Sequence, residues 1–151
     1  MSVPVLAPLA GGVVALADVP DPVFAGQIVG SGVAIDPDRT RGTLTVTAPI
    51  AGKILKLHPH AFVVFGGGAG VLVHLGIDTV KLKGEGFVLL AAEGDEVVAG
   101  APIVTFDPTE IANAGYSPIC PIVVMDSAKD SITSDTIGST VESGALLFDS
   151  P

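Results

Sequence analysis

The sequence predicts an all-β protein, an antiparallel β-sandwich or partly closed barrel with internal duplication and one or two short helical turns. Three observations carry this prediction. Short stretches of alternating apolar and polar residues recur along the chain. The 19 glycines and 12 prolines are scattered, as expected of many short strands joined by tight turns. A pattern also occurs twice: APLAGGVVAL at 7–16 and APIAGKILKL at 48–57 share Ala-Pro-x-Ala-Gly-x-x-x-x-Leu.

The elements follow in order. In each copy Ala-Pro-x-Ala-Gly reads as a turn, with the glycine free to take a positive φ, leading into a strand. The first copy feeds a strand at 12–16. DPVFAGQIVG, at 21–30, holds one helical turn. Strands follow at 32–35 and 43–47, and the second copy feeds 52–57. Strands at 61–65 and 70–76 form a hairpin around FGGGAG. Further strands fall at 86–91 and 103–107, within or next to EGDEVVAGAPIVTFD (93–107), a fainter third version of the repeat. DPTEIANAG (107–115) reads as a helix: Asp107 caps it, Pro108 suits its first turn, Glu110 stands three residues after the cap, and Gly115 stops it. Strands at 119–126 and 145–149 complete the set. Short strands with almost no helix indicate a sandwich or barrel. Residues 1–151 read as a single domain.

Charge and cysteine usage narrow the function. The net charge is −9, and the longest basic feature is KLK at 81–83, so no surface for nucleic acid is expected. The acidic balance favours a basic partner. Cys120 is the only cysteine, which excludes an internal disulfide and reads as a small buried apolar residue in a reducing compartment. The start, MSVPVLAPLAGG, lacks the pattern of a signal peptide, and Gly, Pro or a charge interrupts every apolar run before it reaches membrane-spanning length.

The three histidines, His58, His60 and His74, are the candidates for chemistry. Facing residues of an antiparallel pair have a constant index sum. A hairpin whose loop is Gly66–Gly70, centred on Gly68, pairs Val64 with Leu72, Phe62 with His74, and His60 with Gly76. His60 and His74 then share a face as diagonal neighbours, roughly 7–8 Å apart at the backbone. On the same face Phe62 and Val64 form an apolar rim, Gly76 leaves space, and Asp78 supplies a carboxylate. Val71, Val73, Leu75 and Ile77 point to the core. A shift of the sum by one would separate the histidines.

Three readings compete. The histidines can be ordinary sheet residues. They can bind zinc, since His58-Pro59-His60 has a ligand-like spacing and His74 or Asp78 could add to it; that reading makes a zinc-dependent hydrolase. Or one histidine is a nucleophile supported by another. A partly buried neutral imidazole is a good nucleophile near neutral pH, and a second imidazole can stabilise a transferring phosphoryl group. No Walker-type loop is present, and GGGAG joins two strands, which suits a hairpin loop better than a nucleotide cradle.

HAF at 60–62 and VLVHLGIDTVKLKGEGF at 71–87 resemble the glucose-family enzyme IIA component of the bacterial phosphoenolpyruvate-dependent sugar phosphotransferase system. PVFAGQIVGSGVAIDP, APIAGKI and GDEVVAGAPIVTFD resemble its other signatures, in the family's order. The resemblance implies a duplicated β-sandwich. It implies a phosphotransferase component with a phosphohistidine intermediate, not a complete sugar kinase. His74 would accept a phosphoryl group on Nε2 from phospho-HPr and pass it to a cysteine of a permease's IIB domain, with His60 stabilising it. It further implies that Asp21 and Asp78 form an acidic rim facing an HPr arginine. Val23, Phe24, Ile28, Val29 and Val80 belong to an apolar docking face, and Phe62 joins them through the hairpin pairing. His58 stands where the family usually has Thr, so it becomes the candidate for orienting the active histidine. No cofactor is required, and zinc at His60 and His74 would be incidental. The implied location is the cytoplasm, without stable membrane insertion. Regulated metabolic proteins are implied as further partners.

Overall fold

A computed structural model describes residues 3–150; the domain limits expected at 1 and 151 lie outside the described residues. The strands are β1 (Val3–Leu6), β2 (Gly11–Ala15), β3 (Gly30–Pro37), β4 (Leu44–Thr47), β5 (Gly52–His58), β6 (Ala61–Gly66), β7 (Ala69–His74), β8 (Phe87–Leu89), β9 (Glu96–Val97), β10 (Pro102–Phe106), β11 (Cys120–Met125), β12 (Thr140–Val141) and β13 (Leu146–Ser150). The helices are α1 (Pro22–Ala25) and α2 (Pro108–Asn113). An eight-stranded sheet runs β12-β2-β3-β11-β7-β6-β5-β9. Smaller sheets, β4-β10-β8 and β1-β13, accompany it. Every ladder is antiparallel. Val5, Val46, Phe62, Val73, Phe106, Ile122 and Phe148, drawn from all three sheets, share one buried core. The fold is the predicted antiparallel β class.

The duplication shows in the hydrogen bonds. Leu6 N–H donates to Pro49 O at 2.9 Å, and Thr47 N–H donates to Pro8 O at 2.8 Å. Ala7 N–H reaches Ala145 O at 2.7 Å, and Ala48 N–H reaches Ala101 O at 2.9 Å. The repeat glycines, Gly11 and Gly52, begin β2 and β5. Their role differs from the expected turn. A Cβ at Gly11 would lie 2.2 Å from Asp36 O, and one at Gly52 would lie 2.1 Å from Phe65 O. The neighbouring strand's backbone leaves no room for a side chain.

The two halves differ in one connection. Residues 16–29, including α1, join β2 to β3, whereas Pro59 and His60 alone join β5 to β6. The longer connection packs Leu16, Val19 and Phe24 on Ala34 and Val123, forming a second, smaller core. Asp21 caps α1 by accepting from Val23 N–H at 2.8 Å, and Asp107 caps α2 by accepting from Thr109 N–H at 2.9 Å. Both helices lie where the sequence places them. β1, β9 and β12 extend the anticipated strand set; two of them are only two residues long, too short for alternation to register.

The hairpin register corrects the sequence reading. Gly66 pairs with Ala69, Phe62 with Val73, and Ala61 with His74. The loop is only Gly67 and Gly68, with φ of 60° and 83°, as a tight two-residue hairpin requires. The index sum is therefore one lower than expected, and Phe62 and Val64 turn into the core. Phe62 is 1% exposed and is not available to a docking partner. Phe62→Ala should cost about 3–5 kcal/mol, measured by urea unfolding. A surface residue would lose almost nothing.

Candidate active site

The two histidines meet, though not by the route the alternation suggests. His74 is the last residue of β7, and His60 precedes β6. Because His60 stands in the turn, its ring is free of the strand's alternation and swings onto the His74 face. Leu75 N–H donates to His60 O at 2.7 Å and ties the two chain segments together. The imidazole centroids are 5.3 Å apart and inclined at 72°.

Gly76 contributes backbone geometry. Its φ of 83° turns the chain sharply after β7. This brings the Gly76 carbonyl to His74 Nδ1 at 2.5 Å. A carbonyl can only accept, so Nδ1 carries the proton and Nε2 keeps its lone pair. The sequence assigned Gly76 to leaving space on the histidine face. Yet a Cβ there would meet Thr79 Cγ2 at 2.6 Å and Ser117 O at 3.0 Å, so the open volume is taken by the protein itself.

Burial sets the electrostatics. It lowers the His74 pKa, while the Gly76 carbonyl, Asp21 and Asp78 offset part of that effect. Burial also lowers the His60 pKa, and proximity to His74 and His58 adds to it. Both imidazoles are therefore neutral near pH 7. The buried Phe24 ring lies 5.2 Å from that of His74.

The remaining predicted residues fall into groups. Val23, Ile28 and Val80 are exposed hydrophobics, the second at 74%. Asp78 is exposed and Asp21 half-buried. Phe24 is buried, and Val29 packs against the second core, so these two support the face more than they project from it. His58 is exposed, and its ring stacks on His60 at 5.8 Å and 23°. The sequence made His58 the candidate for orienting His74; the ring contact it makes is with His60. Among the described residues no three His, Cys, Asp or Glu side chains converge as a metal-binding group, so the zinc-hydrolase reading gains no donor set. Cys120 is fully buried, as expected, and burial pushes its thiol pKa up to about 12.

Sequence reasoning missed the Gly76 carbonyl and Thr79, whose hydroxyl donates to Leu75 O at 2.7 Å. The pair of positive φ values at Gly76 and Asp78 is the structural signature of this turn, and only the glycine advertises it in the sequence.

Comparison with known proteins places these features. Residues 3–130 match the family described as phosphoenolpyruvate-dependent sugar phosphotransferase system, EIIA 1. The PTS system glucose-specific EIIA component of Bacillus anthracis is 40% identical over 144 residues, spanning 93% of this chain and 85% of that one. The component of the same description from Staphylococcus aureus (strain COL) is 43% identical over 126 residues, 82% of this chain and 74% of that one. The solved structure of glucose permease IIA from Mycoplasma capricolum superposes with a TM-score of 0.87 at 32% identity, covering 99% of this chain and 96% of that one. A duplicated antiparallel β scaffold with these relatives is a component of the sugar phosphotransferase class. Within that class, the chain belongs to the EIIA 1 family.

The titration of the pair checks the site. As pH falls, His60 and His74 bind protons near 6.5 in the unfolded chain, before they do so in the folded protein. Stability should therefore hold above 6.5 and decline as pH falls from 6.5 toward the lower folded values. NMR titration should place both His60 and His74 midpoints below 6.5. Midpoints above it would contradict the burial argument.

Proposed function

We propose that this protein is a phosphocarrier that takes a phosphoryl group on His74 Nε2 and hands it on. The observation that carries the proposal is the Gly76 carbonyl on His74 Nδ1, which leaves Nε2 as the free nucleophile. The donor is the phosphohistidine of HPr. Nε2 attacks phosphorus, the new N–P bond forms as the donor's N–P bond breaks, and the donor imidazole leaves with the electron pair. The second step repeats this in the opposite sense: a cysteine thiolate of the permease's IIB domain attacks, and His74 is restored as the neutral imidazole. The metaphosphate-like group between them is stabilised chiefly by position and by donors to its equatorial oxygens. His60 supplies such a donor. Its neutral state suits the role, because an uncharged imidazole still carries one N–H.

The face around the site supports docking of protein partners. Val23, Ile28 and Val80 offer exposed apolar surface, with Asp21 and Asp78 beside it as carboxylates for a basic group on HPr. The glucose descriptions of the relatives suggest glucose as the transported sugar. We place the protein in the cytoplasm; among the described residues no helix is long and apolar enough to cross a membrane. The same face would serve regulated metabolic proteins that distinguish the phosphorylated from the free form.

Incubation with phosphoenolpyruvate, enzyme I and HPr should add one acid-labile, base-stable phosphate. His74→Gln should take up none. His60→Gln should be labelled yet pass phosphate to a IIB domain about 100-fold more slowly. A fully labelled His74→Gln protein would refute the assignment, and normal onward transfer by His60→Gln would remove His60 from the reaction.

A further inference from the structure

His74 is held by the Gly76 carbonyl, and that carbonyl is held by the turn at residues 75–79. The turn places two residues in the left-handed region, Gly76 at φ 83° and Asp78 at φ 60°. Asp78 is not a glycine, so the conformation needs outside support. Three hydrogen bonds provide it. Leu75 N–H donates to His60 O at 2.7 Å, and Ile77 N–H donates to Ser117 O at 2.9 Å. The third is from Thr79 Oγ1 to Leu75 O, at 2.7 Å. Gly76 N–H adds a contact to the buried Cys120 sulfur.

Thr79 is unlike the other supports. It is a polar side chain with 0% exposure. It acts with both of its branches: the hydroxyl holds the Leu75 carbonyl, and the methyl occupies the space where a Gly76 side chain would stand, 2.6 Å from an ideal Cβ. Leu75 is also the residue whose N–H holds His60. One threonine thus borders the backbone unit whose groups bond His74 Nδ1 and the His60 carbonyl.

We infer that Thr79 is a positioning residue for the histidine pair: its hydroxyl locks the Leu75 peptide so that the Gly76 carbonyl stays on His74 Nδ1 and the Leu75 N–H stays on His60. Removing the hydroxyl frees the Leu75 carbonyl to turn toward another donor. The Leu75–Gly76 segment then rotates, the Gly76 carbonyl leaves Nδ1, and His74 divides between its two tautomers. A histidine with its proton on Nε2 has no lone pair there to attack phosphorus. The consequence for transfer rests on the phosphocarrier reading above; the consequence for the tautomer does not.

The test compares Thr79→Val, which keeps the methyl and loses the hydroxyl, with Thr79→Ser, which does the reverse. Both are made in the full chain with 15N-labelled histidine. In unphosphorylated protein, nitrogen shifts should report a single Nδ1–H tautomer at His74 for wild type and Thr79→Ser, and a mixture for Thr79→Val. With phospho-HPr as donor, Thr79→Val should lose roughly tenfold in kcat, as misplacement of a reacting group does. Its KM should be unchanged, because Thr79 is buried and makes no contact with the donor. Thr79→Ser should restore kcat. Wild-type tautomer and kcat in Thr79→Val would overturn the inference, and so would equal damage in Thr79→Ser, which would make Thr79 a packing residue only. If Thr79→Val does not fold, wild-type protein decides: the Thr79 hydroxyl proton should exchange slowly with solvent, and a rapidly exchanging one overturns the proposal. Wild-type protein that accepts no phosphate would defeat the phosphocarrier reading and leave the tautomer comparison standing.

Discussion

The two-residue turn at Gly67 and Gly68 sets the pairing of β6 with β7, and that pairing decides which face His74 takes. With Gly66 opposite Ala69, the ladder sends Phe62, Val64, Val71 and Val73 into the core. It sends Leu72 and His74 to the opposite face, where Ala61 stands beside His74. A turn one residue longer or shorter would reverse this and bury His74 in place of Phe62. The positive φ values at both turn positions make glycine the natural occupant of each. His60 escapes the same rule only because β6 begins after it. A turn residue can aim its ring where a strand residue cannot.

The site also depends on a break in the internal symmetry. The repeated halves share hydrogen bonds, buried positions and crowded glycines at the start of β2 and β5. They differ in the connection that follows. The long segment 16–29 lays Phe24 over His74, while the short turn between β5 and β6 presents His60. Burial keeps His74 neutral, and the Gly76 carbonyl and Asp21, which starts the short helix of Phe24, draw its proton affinity partly back. The frame strand β7 carries His74, and the two unequal connections bring Phe24 and His60 to it.

Much of this was legible in the sequence. The repeat copies announced the duplication because close backbone approach demands glycine at the same place in each. Asp21-Pro22 and Asp107-Pro108 announced the two helices, since a capping carboxylate followed by proline has a direct structural meaning. The meeting of His60 and His74 was expected, yet the pairing used to derive it was off by one. The cause is specific: Gly66, Ala69 and Gly70 look like loop, but they are paired strand residues, so the apparent loop was wider than the real one. That error placed Phe62 on the docking face. Gly76 looked like space and proved to be a backbone bend, because composition cannot separate a glycine needed for φ from one needed for room. Thr79 gave no signal at all; its importance comes from a buried hydrogen bond to a carbonyl four residues back in the chain.

The central claim is that the Gly76 carbonyl keeps the proton on His74 Nδ1 and so leaves Nε2 to react. The most direct measurement is the position of phosphorus in the phosphorylated protein, read from phosphorus–nitrogen couplings in 15N-histidine-labelled material. The account predicts phosphorus on Nε2 of His74, with Nδ1 still carrying its proton. Phosphorus on His74 Nδ1, or on His60 or His58, would contradict it.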